Sequence, residues 1–345
     1  DIILKNFGKN NFGNNNMLSL KFGGTSMADA ECISASANII IGRAEKDRVS
    51  VIASAASGVS NFLQDSIDSC IKGESVEKFV QELKQKHYSI CNSLVKLHPD
   101  FNIQRVLDKI DGIFTEYEKL LNGVVAFSEC PDTIYCRIMG MGELLSNPIL
   151  EEVLKSEKQN AILLDTRDFI VTTGNQKEGD PDYSVCTENF LPYRDGESFS
   201  KYRILIFPGF VCSWIGGNGK KAVPGLLGRN GSDFSASIVA SSLSSSRVEF
   251  WTDVDGVYTA DPRIVKDAIL VDDMTYEESM ELAFFGSKVL HPKTLAPLVS
   301  KGIEAWSLNS HNPSSRGTRI GKGPFDSSRK HSICGISCLK KVSMI

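Results

Sequence analysis

The sequence has no apolar run near the roughly 20 residues that span a bilayer, and no N-terminal basic segment followed by an apolar stretch and a cleavage site. Neither membrane insertion nor secretion is expected, so the protein is read as cytoplasmic. Positive charge is not concentrated anywhere. The 38 Lys and Arg are interspersed with 42 Asp and Glu, for a formal net charge of −4. A polyanion needs a basic stripe, so nucleic-acid binding is not expected either. The nine cysteines include no Cys-x-x-Cys pair, and an odd number in a chain this long points to reduced thiols. His331, Cys334 and Cys338 lie close together, but no second ligand cluster accompanies them and the stretch is strand-like. They are not read as a metal site.

What is present is 41% hydrophobic content over 345 residues, enough for one large α/β core or two ordinary domains. Residues 1–16, rich in Asn and Gly, read as a disordered leader or an extension added to the protein. From Leu18 to Phe22 the pattern is a buried strand; Gly23 and Gly24 break it, and a helix is predicted over 28–41. A second strand, 49–53, runs into the small-residue loop 54–61. Strand, Gly or Ser loop, then helix, repeated, is the grammar of a parallel α/β sheet. Residues 74–122 carry Phe79, Leu83, Ile90 and Leu94 at helical spacing and predict a helical insert on one flank. Further strands are predicted at 161–165, 202–207, 248–252 and 303–308. The polar stretch 174–197 has too few apolar residues for core and reads as a mobile flap. Residues 332–336 and 341–345 look like strand material of a new domain.

Three segments carry chemistry. Lys21-Phe22-Gly23-Gly24-Thr25-Ser26 puts a lysine at a strand end, glycines in the turn and hydroxyls at a helix entrance. Phosphate fits there, because glycines admit close backbone approach and amides favour negative charge; the alternative is a tight turn with a solvated lysine. Leu227-Gly228-Arg229-Asn230-Gly231-Ser232-Asp233 ends a loop and opens a helix. Arg229 can grip a carboxylate with two prongs, while Asp233 could simply satisfy helix-start amides. Trp251-Thr252-Asp253-Val254-Asp255-Gly256-Val257-Tyr258 through Arg263 clusters an aromatic ring, carboxylates and an arginine beyond one strand, which suits a nucleotide with magnesium. Gly216 to Lys221 only faintly looks like a P-loop: Trp214 stands where its first glycine belongs, and Lys221 where Ser or Thr should follow the lysine. It is read as a turn between strands.

Together with Phe285-Gly286-Ser287-Lys288-Val289-Leu290-His291-Pro292, these segments resemble, in order and spacing, the aspartokinase branch of the amino acid kinase family over residues 17–320. The second and third look closest to the kinase half of bifunctional aspartokinase–homoserine dehydrogenases. The resemblance implies a three-layer αβα sandwich with a mainly parallel, carbamate kinase-like sheet, and ATP-dependent phosphorylation of the L-aspartate side chain. It implies a catalytic domain over 17–321, with an aspartate lobe at 17–240 and an ATP lobe at 241–321. A linker and the first strand of an ACT regulatory domain would occupy 322–345, and the full-length protein is expected to be a homo-oligomer.

Carried over by position, Lys21 would contact the phosphates, and Gly23, Gly24, Thr25 and Ser26 would line them. Ser60 stands where the family has a threonine contacting the amino acid, and Glu143 matches its partner for the substrate amino group. Arg229 would hold the α-carboxylate beside Ser232, Asp233 would organise the catalytic lysine, and Thr252, Asp253, Tyr258, Arg263 and Lys288 would hold ATP with Mg2+. Two departures stand out. Val223-Pro224-Gly225-Leu226 replaces a run of threonines, and Met139-Gly140-Met141 precedes Glu143 in an unusual way. The aspartate side chain, with a reference pKa of about 3.9, needs no general base, and His291 is read as structural. The obstacle is repulsion between anions, roughly 1 kcal/mol at about 4 Å in water and about 4 kcal/mol at an effective dielectric near 20. Rival readings are a same-fold kinase for glutamate, N-acetylglutamate, carbamate or UMP, and a non-catalytic amino acid sensor.

Overall fold

The computed structural model describes residues 16–196, 201–216, 221–284, 290–323 and 335–336. Its central sheet comprises β1 (Met17–Phe22), β2 (Arg48–Ala53), β3 (Ala161–Leu163), β6 (Ile204–Pro208), β9 (Arg247–Thr252), β10 (Asp273–Thr275), β11 (Glu304–Asn309) and β12 (Thr318–Gly321). The strand order is β10-β12-β11-β9-β1-β2-β6-β3, and every pairing is parallel except that of β11 with β12. The mainly parallel sheet expected from the sequence is what forms, and the six strands expected between residues 18 and 308 agree with observed ones to within two residues at each end.

Both faces of this sheet are buried, so its strands read as near-continuous apolar runs whose alternate residues enter different cores. Leu18, Leu20 and Phe22 join Val49, Val51, Ile204 and Ile206 on one face. Met17 joins Ile52, Leu205 and Phe207 on the other. The first face is covered by α1 (Ala30–Ala44) and by four helices in succession: α2 (Val59–Ile71), α3 (Val76–Leu97), α4 (Ile103–Phe127) and α5 (Asp132–Ser156). The predicted insert is α3 and α4, whose buried stripes are Phe79, Leu83, Ile90, Leu94 and Val106, Ile110, Phe114, Tyr117, Leu121. The second face is covered by α6 (Tyr183–Arg194), α7 (Gly231–Leu243), α8 (Tyr276–Phe284) and α9 (Pro292–Lys301). This is the three-layer sandwich.

A smaller sheet of β4 (Val171–Asn175), β5 (Glu178–Pro181), β7 (Val211–Trp214) and β8 (Val223–Leu226) has the order β5-β4-β7-β8. It corrects the reading of 174–197 as a flap. The stretch instead completes the β4–β5 hairpin and then forms α6, anchored by buried Cys186 and Phe190. Alternating exposure in a two-stranded ribbon leaves few apolar residues, which is why composition alone suggested a loop. Strands β7 and β8 pair antiparallel, and residues 217–220 between them, the core of the segment read as a turn, lie outside the described residues. The leader at 1–15, Lys288, the His331–Cys334–Cys338 group and the strands expected at 332–336 and 341–345, apart from Gly335 and Ile336, lie outside the described residues. Among the described residues no helix is long and apolar enough to cross a membrane. The seven described cysteines are all free thiols.

Candidate active site

Because β1, β2, β6, β9 and β11 run parallel, their following loops gather at one edge of the sheet, where open α/β sheets place ligands. A cavity of about 1140 Å³ opens there. Its walls come from the turn after β1 (Lys21, Gly24, Thr25), the loop after β2 into α2 (residues 54–61), Glu143 on α5, Phe210, and the start of α7 (Gly228 to Asp233). The strand parity that sends Leu20 and Phe22 toward α1 sends Lys21 to the opposite face, beneath α7. There its Nζ lies 2.6 Å from Asp233 Oδ1. Asp233 therefore partners a lysine instead of serving only as a helix-start acceptor.

Helix α7 starts abruptly. Asn230 adopts a left-handed conformation (φ 57°) and makes no side-chain capping bond. The first-turn amides are thus left for an anion, reinforced by the helix dipole. Gly231 is required by space, since a Cβ there would sit 2.4 Å from the Phe210 ring. Arg229 is exposed at the cavity wall and forms no ion pair with any described residue. An unpaired guanidinium beside free helix amides is poised for a carboxylate.

Glu143 is buried, 3% exposed, at the cavity floor. One carboxylate oxygen is 3.4 Å from the Ser232 hydroxyl, and the other, Oε2, has no hydrogen-bond partner. Burial pushes its pKa up to about 8, against the opposing pull of backbone and Ser232 hydrogen bonds and the Lys21 charge. A buried carboxyl with a vacant oxygen calls for a cationic ligand. The Met-Gly-Met-Gly run before it has a steric reason: a Cβ at Gly140 would lie 2.7 Å from Val211 Cγ1, and one at Gly142 2.7 Å from Ala55 Cβ. Glycine at both positions lets α5 press against the smaller sheet and the loop after β2, carrying Glu143 inward.

The structure brings Lys21, Gly24, Thr25, Ser60, Glu143, Arg229, Ser232 and Asp233 to one cavity. Gly23 sits in the same turn, its amide donating to the Trp251 carbonyl at 3.2 Å. Ser26 does not line the cavity: it is 1% exposed and its hydroxyl donates to Ser310 at 2.9 Å. Thr252 ends β9, the strand next to β1, and Asp253, Tyr258 and Arg263 lie on the loop beyond it, outside that cavity's lining. Arg263 is largely exposed and paired with Asp261 at 2.7 Å. His291 caps α9 by accepting from the Lys293 amide, which is the structural use expected of it. Sequence reasoning missed the tip of the β4–β5 hairpin, where Asn175, Lys177 and Glu178 join the cavity wall. No motif marks them, because strand pairing alone places them. Among the described residues no three His, Cys, Asp or Glu side chains converge as a metal site.

An amino acid kinase family description matches residues 17–309, and the chain belongs to that family. Within it the similarity runs to aspartokinases. The bifunctional aspartokinase/homoserine dehydrogenase of Buchnera aphidicola is 33% identical over 329 residues, which is 95% of this chain and 39% of that protein. The lysine-sensitive aspartokinase 3 of Escherichia coli is 31% identical over 309 residues, 87% of this chain and 63% of that protein. The crystal structure of E. coli aspartokinase III in complex with aspartate and ADP superposes with a TM-score of 0.78 at 27% identity, covering 90% of this chain and 65% of that one. The chain thus spans less than two thirds of the length of these relatives.

Proposed function

We propose that this chain is an aspartate kinase, transferring the γ-phosphoryl group of ATP to the side-chain carboxylate of L-aspartate to give 4-phospho-L-aspartate, the first step toward lysine, threonine and methionine. The observation that carries the reading is the convergence, on one cavity, of the Lys21–Asp233 pair, the unpaired Arg229 and the buried Glu143 with its vacant oxygen. These match the three charges of aspartate: Arg229 for the α-carboxylate, Glu143 for the ammonium and Lys21 near the attacking carboxylate. The aspartate and ADP held by the E. coli enzyme of the same fold support it.

In this reading the chain's work is positioning and charge cancellation. Asp233 holds Lys21 at the sheet edge, and Lys21 and the α7 amides draw two anions together. Arg229 and Glu143 fix the amino acid for in-line attack, with Ser60 and Ser232 at the same wall. The turn at Gly23, Gly24 and Thr25 would lie against phosphates, and Thr252, Asp253, Tyr258, Arg263 and Lys288 would hold the nucleotide. Magnesium would arrive on ATP, and the carboxylate-bearing loop beyond β9, with Asp253, is where this chain would hold it. Bound there, it would neutralise phosphate charge. We further propose a catalytic domain over 17–321 with lobes meeting near residue 240, a regulatory ACT domain opening within 322–345, homo-oligomeric assembly of the full-length protein and a cytoplasmic location.

The test is ADP release with L-aspartate, glutamate, N-acetylglutamate, carbamate and UMP as acceptors. Aspartate should stand alone as an efficient acceptor. A larger rate with another acceptor, or none with any, would overturn the assignment.

A further inference from the structure

The turn after β11 ties together the loops that follow the two neighbouring strands. Ser310, 4% exposed, accepts a hydrogen bond from the Ser26 hydroxyl at 2.9 Å and donates its own hydroxyl to the Thr252 carbonyl at 3.0 Å. Its backbone amide donates to the same carbonyl at 2.9 Å. The polarity is consistent along the chain of bonds, so each proton has one place to go. On either side, Asn309 and Asn312 both donate to Asp255 Oδ1, at 2.8 and 3.1 Å. Behind Ser26, the Ser36 hydroxyl of α1 holds the Ser26 carbonyl at 2.9 Å. The Ser310 hydroxyl therefore adds a side-chain link between the turn after β1 and the end of β9 to the backbone bond from Gly23 to Trp251, and Ser310 does not line the cavity that holds Lys21 and Arg229.

We infer that Ser310 is a positioning residue for the nucleotide: through Ser26 and Thr252 it fixes the glycine turn and the loop beyond β9 at the separation that phosphates and nucleoside require. The inference rests on the proposed kinase reading for the identity of the ligand. It also reassigns Ser26, from a phosphate-lining hydroxyl to one half of this brace. Removing the Ser310 hydroxyl leaves the Thr252 carbonyl only its backbone bond from the Ser310 amide and leaves the buried Ser26 hydroxyl without its acceptor, so the side-chain link between the two segments is lost while Arg229, Glu143 and Ser60, which it does not touch, stay in place.

The experiment is direct binding of a fluorescent ATP analogue with magnesium to the parent, Ser310→Ala, Ser310→Thr and the double variant Ser26→Ala/Ser310→Ala, together with KM for ATP and for aspartate. Circular dichroism confirms folding. The double variant leaves no orphaned buried hydroxyl on Ser26 and guards against simple destabilisation. Expected is roughly 5- to 10-fold weaker nucleotide binding in Ser310→Ala and in the double variant, a parallel rise in KM for ATP, KM for aspartate within about twofold, and recovery in Ser310→Thr. The double variant should be no worse than Ser310→Ala, because the two hydroxyls act as one unit. Folded Ser310→Ala and double variants that bind the analogue within twofold of a binding-competent parent would overturn the brace alone. A parent that binds no nucleotide would overturn the kinase reading and the brace with it.

Discussion

Lys21 Nζ and Asp233 Oδ1 stand 2.6 Å apart, joining the end of the first strand to the first turn of a helix far along the chain. Both side chains are mostly buried, with side-chain exposures of 11% and 23%. The pair fixes a cation at the sheet edge without extinguishing it, since the ammonium has three donors and the carboxylate takes one.

Substitution Lys21→Ala should lower kcat by about 100-fold or more, as loss of a preorganised cation at a developing charge does. KM for aspartate should move much less. Steady-state kinetics decide it: turnover within a few-fold of the parent would mean that Lys21 does not hold the transferred phosphoryl group.

Glu143 links stability to pH. Its carboxyl titrates near 4.5 when unfolded and about 8 when folded, so between those values the folded chain retains a proton that the unfolded chain has lost. The contribution is fully present below the unfolded value and is lost as pH rises through the folded one, with a slope of up to about 1.4 kcal/mol per pH unit. Glu143→Gln has no such proton, so urea melts at acidic and at neutral pH should show the variant gaining on the parent as pH rises. Parallel curves for the two proteins would refute a protonated Glu143 in the ligand-free state.

The glycine before it makes a steric prediction. In Gly142→Ala the new methyl would meet Ala55 Cβ at 2.7 Å and Val59 Cγ1 at 3.2 Å. Overpacking of that kind costs about 1–3 kcal/mol, against a helix-propensity gain of about 1 kcal/mol. Thermal melts should show a lower Tm, and aspartate KM should rise because Glu143 is displaced with the helix. An unchanged or higher Tm would mean that α5 can yield without cost.

Much of this site is legible in the residues because it is built from local grammar. A lysine before two glycines, and an arginine and an aspartate around a helix start, mark their own turns and ends. The sheet is equally legible, because parallel strands buried on both faces must be continuously apolar. The β4–β5 hairpin was not, since a ribbon with one exposed face has the composition of a loop. Ser26 and Ser310 were not either: a hydroxyl looks the same whether it meets phosphate or another serine.

The sequence by itself determined the strands β1, β2, β3, β6, β9 and β11, the strand parity that turns Lys21 away from Leu20 and Phe22, and the family. Only the tertiary structure decided which charges meet, because Lys21, Glu143, Arg229 and Asp233 come from separate elements whose distances are set by packing. It also decided that Glu143 is desolvated, since burial belongs to the assembled layers and to no single segment.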